Sequence, residues 1–314
     1  TQKQLAEKSV QDSKTYESKL DLDESRTIDL ALANNRTAKQ TKWDYQAAKD
    51  TVSATAAGKN PSISYSWQGA RSNGVNAMTG RNVTSKTGSH SFTISAPVFS
   101  PELDASIDAS RYAREGAGAS YEESLQQAKY DAISGYYTLI MNRNLVDVAQ
   151  QSVKDYQGHV TNVQAQYNVG LVASSDVLAA KTNLADSETN LVKAQNAANL
   201  AEASLNQVIA YPVQTSITTA EHDLQYKPYN VTLEQAKAYA MLHRSALVKS
   251  ALDVKSAEEA VKSAKAGYLP TVAVKAGRGY IDPDGYFGTS TKSWSVGASA
   301  SWSLWDGGAT QNAI

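Results

Sequence analysis

The chain has 314 residues, a formal net charge of −1 and no cysteine. That balance gives no reason to expect a nucleic-acid partner, and the absent cysteines exclude a disulfide framework and thiol chemistry. Phe and Met number three each, so core volume must come from Ala, Leu, Val and Tyr, which suits closely packed helices. No run of about 18 apolar residues is present, so no membrane-spanning helix is expected, but barrel strands of ~10 alternating residues stay open. No signal-peptide pattern is read at Thr1, and an export signal is expected to lie outside this sequence.

In chain order, a helical pattern runs to Gly58 and stops at Pro61. Ser62 to Trp67 then alternates polar and apolar, a polar Gly-rich stretch covers Gly69 to Gly88, and Ser91 to Val98 alternates again. A second such zone begins at Pro270. Val272, Val274 and Ala276 alternate with polar or small residues, Gly277 to Lys292 reads as a turn-rich loop, and Trp294, Val296, Ala298, Ala300 and Trp302 alternate with Ser and Gly. Period-two patterning means strands with two unlike faces. On alternation alone these could be surface hairpins resting on a soluble core. The hairpins follow very long helices, carry long polar loops, and place Trp and Tyr near the ends of the apolar face, as an interfacial girdle would.

The two zones belong to an internal repeat. A shift of 209 positions carries Ala31, Asp44, Ala48, Val52, Ala57, Gly58 and Pro61 onto Ala240, Asp253, Ala257, Val261, Ala266, Gly267 and Pro270 without a gap. Gly58 and Gly267 are expected as helix C-caps, with Pro61 and Pro270 ending the helices.

Between the hairpins, Val146, Ala149, Val153, Tyr156, Val160, Val163 and Tyr167 are spaced three and four apart. After Gly170, Val177, Leu184, Leu191, Ala198 and Leu205 recur every seven residues, with Ala180, Ser187, Ala194, Ala201 and Val208 at the companion positions. These are coiled-coil seams, so an antiparallel helical hairpin turning at Asn168–Leu171 is expected. Ser174 or Ser175 is the expected N-cap of the returning helix, with Asp176 near its positive dipole end. The outgoing helix, about 65 residues from Glu102, spans ~100 Å, and the return to Ile209 and a helix from Thr232 to Ala266 span ~50 Å each.

Tyr167-Asn168-Val169-Gly170-Leu171-Val172-Ala173-Ser174-Ser175-Asp176-Val177-Leu178 resembles the periplasmic tip of the TolC-like outer-membrane factor family. Gly135-Tyr136-Tyr137-Thr138-Leu139 is similar to that family's long-helix pattern, and Trp302 to Gly308 to its strand-to-helix exit. The resemblance runs from about Leu30 to the C-terminus. It implies a mainly α protein with membrane β-structure, in which coiled-coil helices form a tunnel. Two β-hairpins per protomer would add four strands to a 12-stranded trimeric barrel in the outer membrane of a diderm bacterium. The implied partners are two further copies of the chain, a periplasmic adaptor and, through it, an inner-membrane pump. A second long helix, second tip and its return helix are expected beyond Ile314, together with the family's gating residues, so no gate residue is assigned.

The expected organisation is a first helical segment at 1–60, a barrel hairpin at 61–101 and a helical hairpin at 102–210 with its tip at 168–174. An equatorial linker at 211–231, a helix at 232–267, a second barrel hairpin at 268–305 and the start of a helix at 306–314 follow. Ile63, Tyr65, Trp67, Phe92, Ile94, Val272, Val274, Trp294, Val296 and Trp302 are expected to face lipid, because barrel exteriors are apolar and interiors polar. Tyr167, Asn168, Val169, Gly170, Leu171, Val172, Ser174 and Asp176 are expected to dock the adaptor.

His90, His159, His222 and His243 lack metal-ligand spacing, the Gly69–Gly88 stretch has no phosphate-loop spacing, and Asp282–Gly285 is most simply a turn. No catalytic, cofactor or metal site is therefore expected. The leading reading is a passive conduit for efflux or type I secretion. A structural or adhesive trimeric coiled-coil protein is the alternative, though it does not account for the duplicated helix–hairpin unit.

Overall fold

The computed structural model describes residues 19–75, 78, 80–222, 224, 226, 228–282 and 291–314. In chain order the elements are β1 (Lys19–Leu22), α1 (Glu24–Asn34), α2 (Arg36–Ala57), β2 (Ser62–Val75), β3 (Asn82–Phe99), α3 (Pro101–Asn168) and α4 (Ser174–Val208). Then come β4 (Ser216–Thr219), α5 (Leu233–His243), α6 (Ser245–Lys265), a 3-10 turn at Ala266–Tyr268, β5 (Thr271–Asp282), β6 (Thr291–Ser301) and α7 (Ala309–Ala313). They divide into one unit within residues 1–43 and 120–244 and another of residues 44–119 and 245–314.

In the first unit, much of the expected seam of α3 and α4 faces inward: Val153, Val177, Ala180, Ser187, Ala201 and Leu205 are buried, whereas Tyr156 and Tyr167 are exposed. The stretch expected only as a linker holds β4, which pairs in parallel with β1 through Leu20↔Ile217 and Leu22↔Thr219. Four-residue strands are too short for a period-two signal, and these two lie at distant points of the chain. Leu20, Leu22 and Ile217 form a core with Tyr136, Leu139, Ile140, Leu205 and Ile209.

That core assigns roles to the Gly-Tyr-Tyr motif. A Cβ on Gly135 would lie 3.2 Å from Leu205 Cδ1, so the small residue lets α3 and α4 approach. The buried Tyr136 hydroxyl donates to Leu22 O and to the Glu221 carboxylate, and Tyr137 donates to Glu24 Oε2 at 2.7 Å. Burial first, and then the Glu221 carboxylate, push the Tyr136 phenol well above its ordinary pKa. The free side of β4 is covered by side chains. Ile217 N–H donates to Glu202 Oε1 at 2.6 Å, Arg143 donates to Ile217 O at 2.6 Å, and Arg143 pairs with Glu202 at 3.3 Å. Strand groups that would otherwise invite another strand are thereby satisfied.

α4 ends in a Schellman arrangement: Ala210 N–H donates to Gln207 O at 3.2 Å and Tyr211 N–H to Asn206 O at 2.8 Å. Ala210 takes φ +57, a left-handed conformation that costs a residue with a Cβ about 1–2 kcal/mol. Ala210→Gly removes that strain but adds about 0.4–1 kcal/mol of unfolded-state entropy. Its expected result in chemical denaturation is a small net gain, in contrast to the loss that Ala→Gly causes inside a helix.

In the second unit, Ser256 donates to Ala109 O at 3.1 Å, and the Ser263 and Ser106 hydroxyls lie 3.2 Å apart, so small residues bring α6 onto the first part of α3. The sheet is antiparallel in the order β2-β3-β5-β6, with β2 and β6 at its edges. β2 and β5 begin at Ser62 and Thr271, 209 positions apart, as the repeat requires.

Four expectations are corrected here. The polar stretch after Gly69 is not all loop, because the β2–β3 ladder continues to Val75↔Asn82. Likewise β5 continues through Gly277 to Asp282. Both segments lack apolar alternation, so their backbone pairing leaves no period-two pattern. The helix expected from Thr232 to Ala266 is broken at Arg244, whose ψ of 114° is extended, and no Gly or Pro marks the break. Its repeat mate, Asn35, breaks α1 from α2, and the Asn35 side chain accepts from Ala38 N–H at 3.1 Å. Gly58 and Gly267 are not left-handed C-caps, since neither has positive φ. They are small because a Cβ would stand 3.1 Å from Leu103 Cδ1 and 2.6 Å from Thr310 Oγ1 respectively. The Pro283–Gly285 part of the expected turn lies outside the described residues, as does the beginning of the first helical segment.

Candidate functional site

Two surfaces carry the residues singled out in the sequence. The first is the sheet. Ile63 pairs with Ile94, Tyr65 with Phe92, and Trp67 with His90. Across β3, Ile94 pairs with Ala276 and Phe92 with Arg278, and β5 then pairs Val272 with Ala300, Val274 with Ala298, Ala276 with Val296 and Arg278 with Trp294. Paired residues share a face. All the apolar positions assigned on β2, β3, β5 and β6 therefore stand on one side, and on this chain all but the half-buried Val272 are exposed: Ile63 is 76% exposed, Trp294 80% and Val296 74%. Trp302 lies just past β6, where its indole donates to Tyr268 O at 3.0 Å, tying the strand exit to the 3-10 turn. The opposite side carries Ser62, Ser64, Ser66, Ser91, Thr93, Ser95, Ser295 and Ser299, with Lys275. Gly277 and Gly279 sit there too, and a Cβ on Gly279 would come within 2.8 Å of Ser293 Oγ. A bulge between Pro97 and Phe99 accommodates the proline within a central strand.

The second surface is the helical turn. Gly170 N–H donates to Tyr167 O and Leu171 N–H to Gln166 O, both at 2.9 Å, with Gly170 at φ +77. This is again a Schellman cap, here with the residue that takes that conformation without strain. The N-cap of α4 is Ala173, not Ser174 or Ser175. Alanine has no side chain to cap with, so the cap is one-sided: Asp176 Oδ2 accepts from Ala173 N–H at 3.0 Å. Asp176 thus closes the turn by a direct hydrogen bond in addition to its dipole interaction. Val169 and Leu171 are 71% and 75% exposed, and Tyr167 and Leu178 are also exposed.

The strand-to-helix exit is organised by Asp306. Its carboxylate accepts from Thr310 N–H at 2.8 Å and Gly308 N–H at 3.0 Å, and the contacts with Thr310 hold its pKa below the ordinary value. Gly307 and Gly308 both take positive φ beside it. The sequence showed this motif but not its hydrogen-bonding logic. It gave no sign of Arg143 and Glu202, whose partners lie on β4.

A two-faced antiparallel sheet joined to long paired helices defines a β-barrel-forming membrane protein with a helical extension. The chain belongs to the outer membrane efflux protein family, whose model matches residues 27–210 and 229–314. It is 22% identical over 265 residues to the outer membrane protein TolC of Escherichia coli K12, covering 83% of this chain and 52% of that protein. The chain thus spans about half the length of that curated relative. Among solved structures, VceC of Vibrio cholerae superposes with a TM-score of 0.79 at 16% identity, covering 92% of this chain and 70% of that one. The Campylobacter jejuni CmeC outer membrane channel superposes with a TM-score of 0.77 at 16% identity, covering 92% and 63% respectively. The fold is therefore that of these channels, and the protein is an outer-membrane protein.

Proposed function

We propose that the chain is the channel subunit of a tripartite efflux or type I secretion assembly, acting as a homotrimer and a passive conduit. The observation that carries this reading is the four-stranded sheet, apolar on one side, hydroxyl-lined on the other and open at β2 and β6. In lipid no strand edge can remain unpaired, and four strands are too few to close on themselves. Three copies give twelve strands, with β6 of one copy against β2 of the next. Ile63, Tyr65, Trp67, Phe92, Ile94, Val272, Val274, Trp294, Val296 and Trp302 then meet lipid, and the Ser and Thr face lines the aqueous pore. The turn at Tyr167–Asp176 docks the helical tips of a periplasmic adaptor, because Val169 and Leu171 form an apolar projection that a partner would cover. An inner-membrane pump engaged through that adaptor supplies the energy. Mass measurement of the full-length protein in mild detergent should return three copies. A stable monomer that retains its strand content would overturn the reading.

A further inference from the structure

The apolar face of the sheet does not end in neutral residues at its hairpin-turn end. We propose that a cationic belt there binds the phosphates of anionic lipid headgroups in the leaflet on the hairpin-turn side, through Arg278 and Lys292 with Tyr280 on the second hairpin and through Arg71 and Lys86 on the first. The inference rests on the reading that this face meets lipid.

Register and repeat together place three of the four cations. Arg71 pairs with Lys86, and Tyr280 pairs with Lys292. The first pair is nine positions along from Ser62↔Ser95, and the second is nine along from Thr271↔Ser301, the two starting pairs of the hairpins. The two pairs are therefore equivalent positions of the duplicated unit, and Lys86 and Lys292 occupy the same place in each hairpin. By strand parity all four residues, and Arg278, share the face of Ile63, Phe92 and Val296.

Their height fits a headgroup. Nine residues of strand span about 31 Å, or about 24 Å of membrane depth at a tilt near 40°, close to the ~25 Å apolar band of outer-membrane barrels. The belt therefore falls where hydrocarbon gives way to headgroups. The helix-junction end of the same face, at Val272, Phe99 and Ala300, has no cation among the described residues.

Arg278 stands one same-face position deeper, paired with Phe92 and Trp294. Its guanidinium lies 5.3 Å from the Tyr280 ring centre, so it reaches along the strand toward the belt. Arg278 and Lys292 are diagonal neighbours on one face, roughly 7–8 Å apart at Cα, a repulsive placement unless an anion lies between them. Among the described residues neither has an ion pair. Among the described residues, Asp282, one same-face position beyond Tyr280, is the acid on this end of the face, against four cations. Arg and Lys at this spacing, with an aromatic ring between them, fit a phosphate ester whose acyl chains run down the apolar face.

The test is native mass spectrometry of the full-length protein released from nanodiscs of phosphatidylcholine doped with either phosphatidylglycerol or a diphosphorylated glycolipid. Retained anionic-lipid adducts are expected, and Arg278→Gln with Lys292→Gln should weaken retention about thirtyfold, about fivefold per charge near an anionic surface. Lys275→Gln, which removes a charge from the opposite face, should leave it unchanged. The proposal fails if the double variant retains adducts like the parent, if Lys275→Gln loses them equally, or if glycerol phosphate competes as well as the lipid does. Quenching of Trp294 by dibrominated phosphatidylcholine, read as the difference from Trp294→Phe, tests the underlying lipid-facing reading separately. Quenching without anionic adducts sinks the belt alone, whereas no quenching sinks the assignment of the face.

Discussion

Val296→Arg should cost the inserted protein roughly 2–4 kcal/mol, while Ser295→Arg, its neighbour in sequence, should cost far less. Val296 pairs with Ala276, which pairs with Ile94, in the middle of the apolar face, and it is exposed on this chain. If this face meets lipid as proposed, a guanidinium there would lie near mid-membrane with no acid near it among the described residues. The native Arg278 escapes that cost because it stands beside Tyr280 and the polar end of the face. Ser295 faces the other way, among serines and glycines, where a charge would meet water in the proposed barrel. Folding titrations into lipid vesicles should show the midpoint displaced for Val296→Arg and barely moved for Ser295→Arg. Equal penalties would mean that the two faces are not lipid and water.

Gly170→Trp should abolish adaptor engagement and transport while the barrel still assembles. The backbone at φ +77 imposes about 1–2 kcal/mol on any side chain, and the space around its Cβ is empty, so the indole would project outward beside Val169 and Leu171. Gly170→Ala separates the two effects, because it carries the same backbone strain without the bulk. Cysteines at Val169 and Leu171 should capture the adaptor by cross-linking in the parent and lose it in Gly170→Trp. Asp176→Asn should be mild, at under about 1 kcal/mol, since it weakens one hydrogen bond at an exposed helix start. Normal efflux by Gly170→Trp, with no capture from either cysteine, would reduce the tip to an ordinary turn.

The long elements were legible because their physics is periodic. Seams three and four apart marked α3 and α4, and alternation marked the parts of β2, β3, β5 and β6 in which the two faces differ. The strand extensions to Val75 and Asp282 were hidden because both of their faces are polar or small, which leaves backbone pairing without a side-chain signature. β1 and β4 were hidden for another reason. Each is four residues long, and what stabilises them comes from side chains on helices: Tyr136 and Arg143 on α3 and Glu202 on α4. The glycine before each hairpin was visible, but its cause was misread. A Cβ there would be crowded by a side chain of another element, Leu103 or Thr310. At the tip, the turn and its glycine were legible, whereas the cap falls one residue earlier because Asp176 reaches back to Ala173.

The duplication reaches beyond architecture. Helix breaks at Asn35 and Arg244 and strand starts at Ser62 and Thr271 hold the same 209-position offset. Each half is thus a structural phrase of helix, break, helix and hairpin, and in the proposed trimer three chains would arrange six such phrases around one axis. A ring of six unfused halves would have to change every position together, since one gene would specify them all. Fusion lets alternate positions diverge. Arg278 has glycine, Gly69, as its counterpart, and Lys275 has Ser66, so the second hairpin carries charges that the first does not. Pore and rim can in this way acquire threefold features on a sixfold frame, and selection can adjust one half of the ring while the other preserves closure.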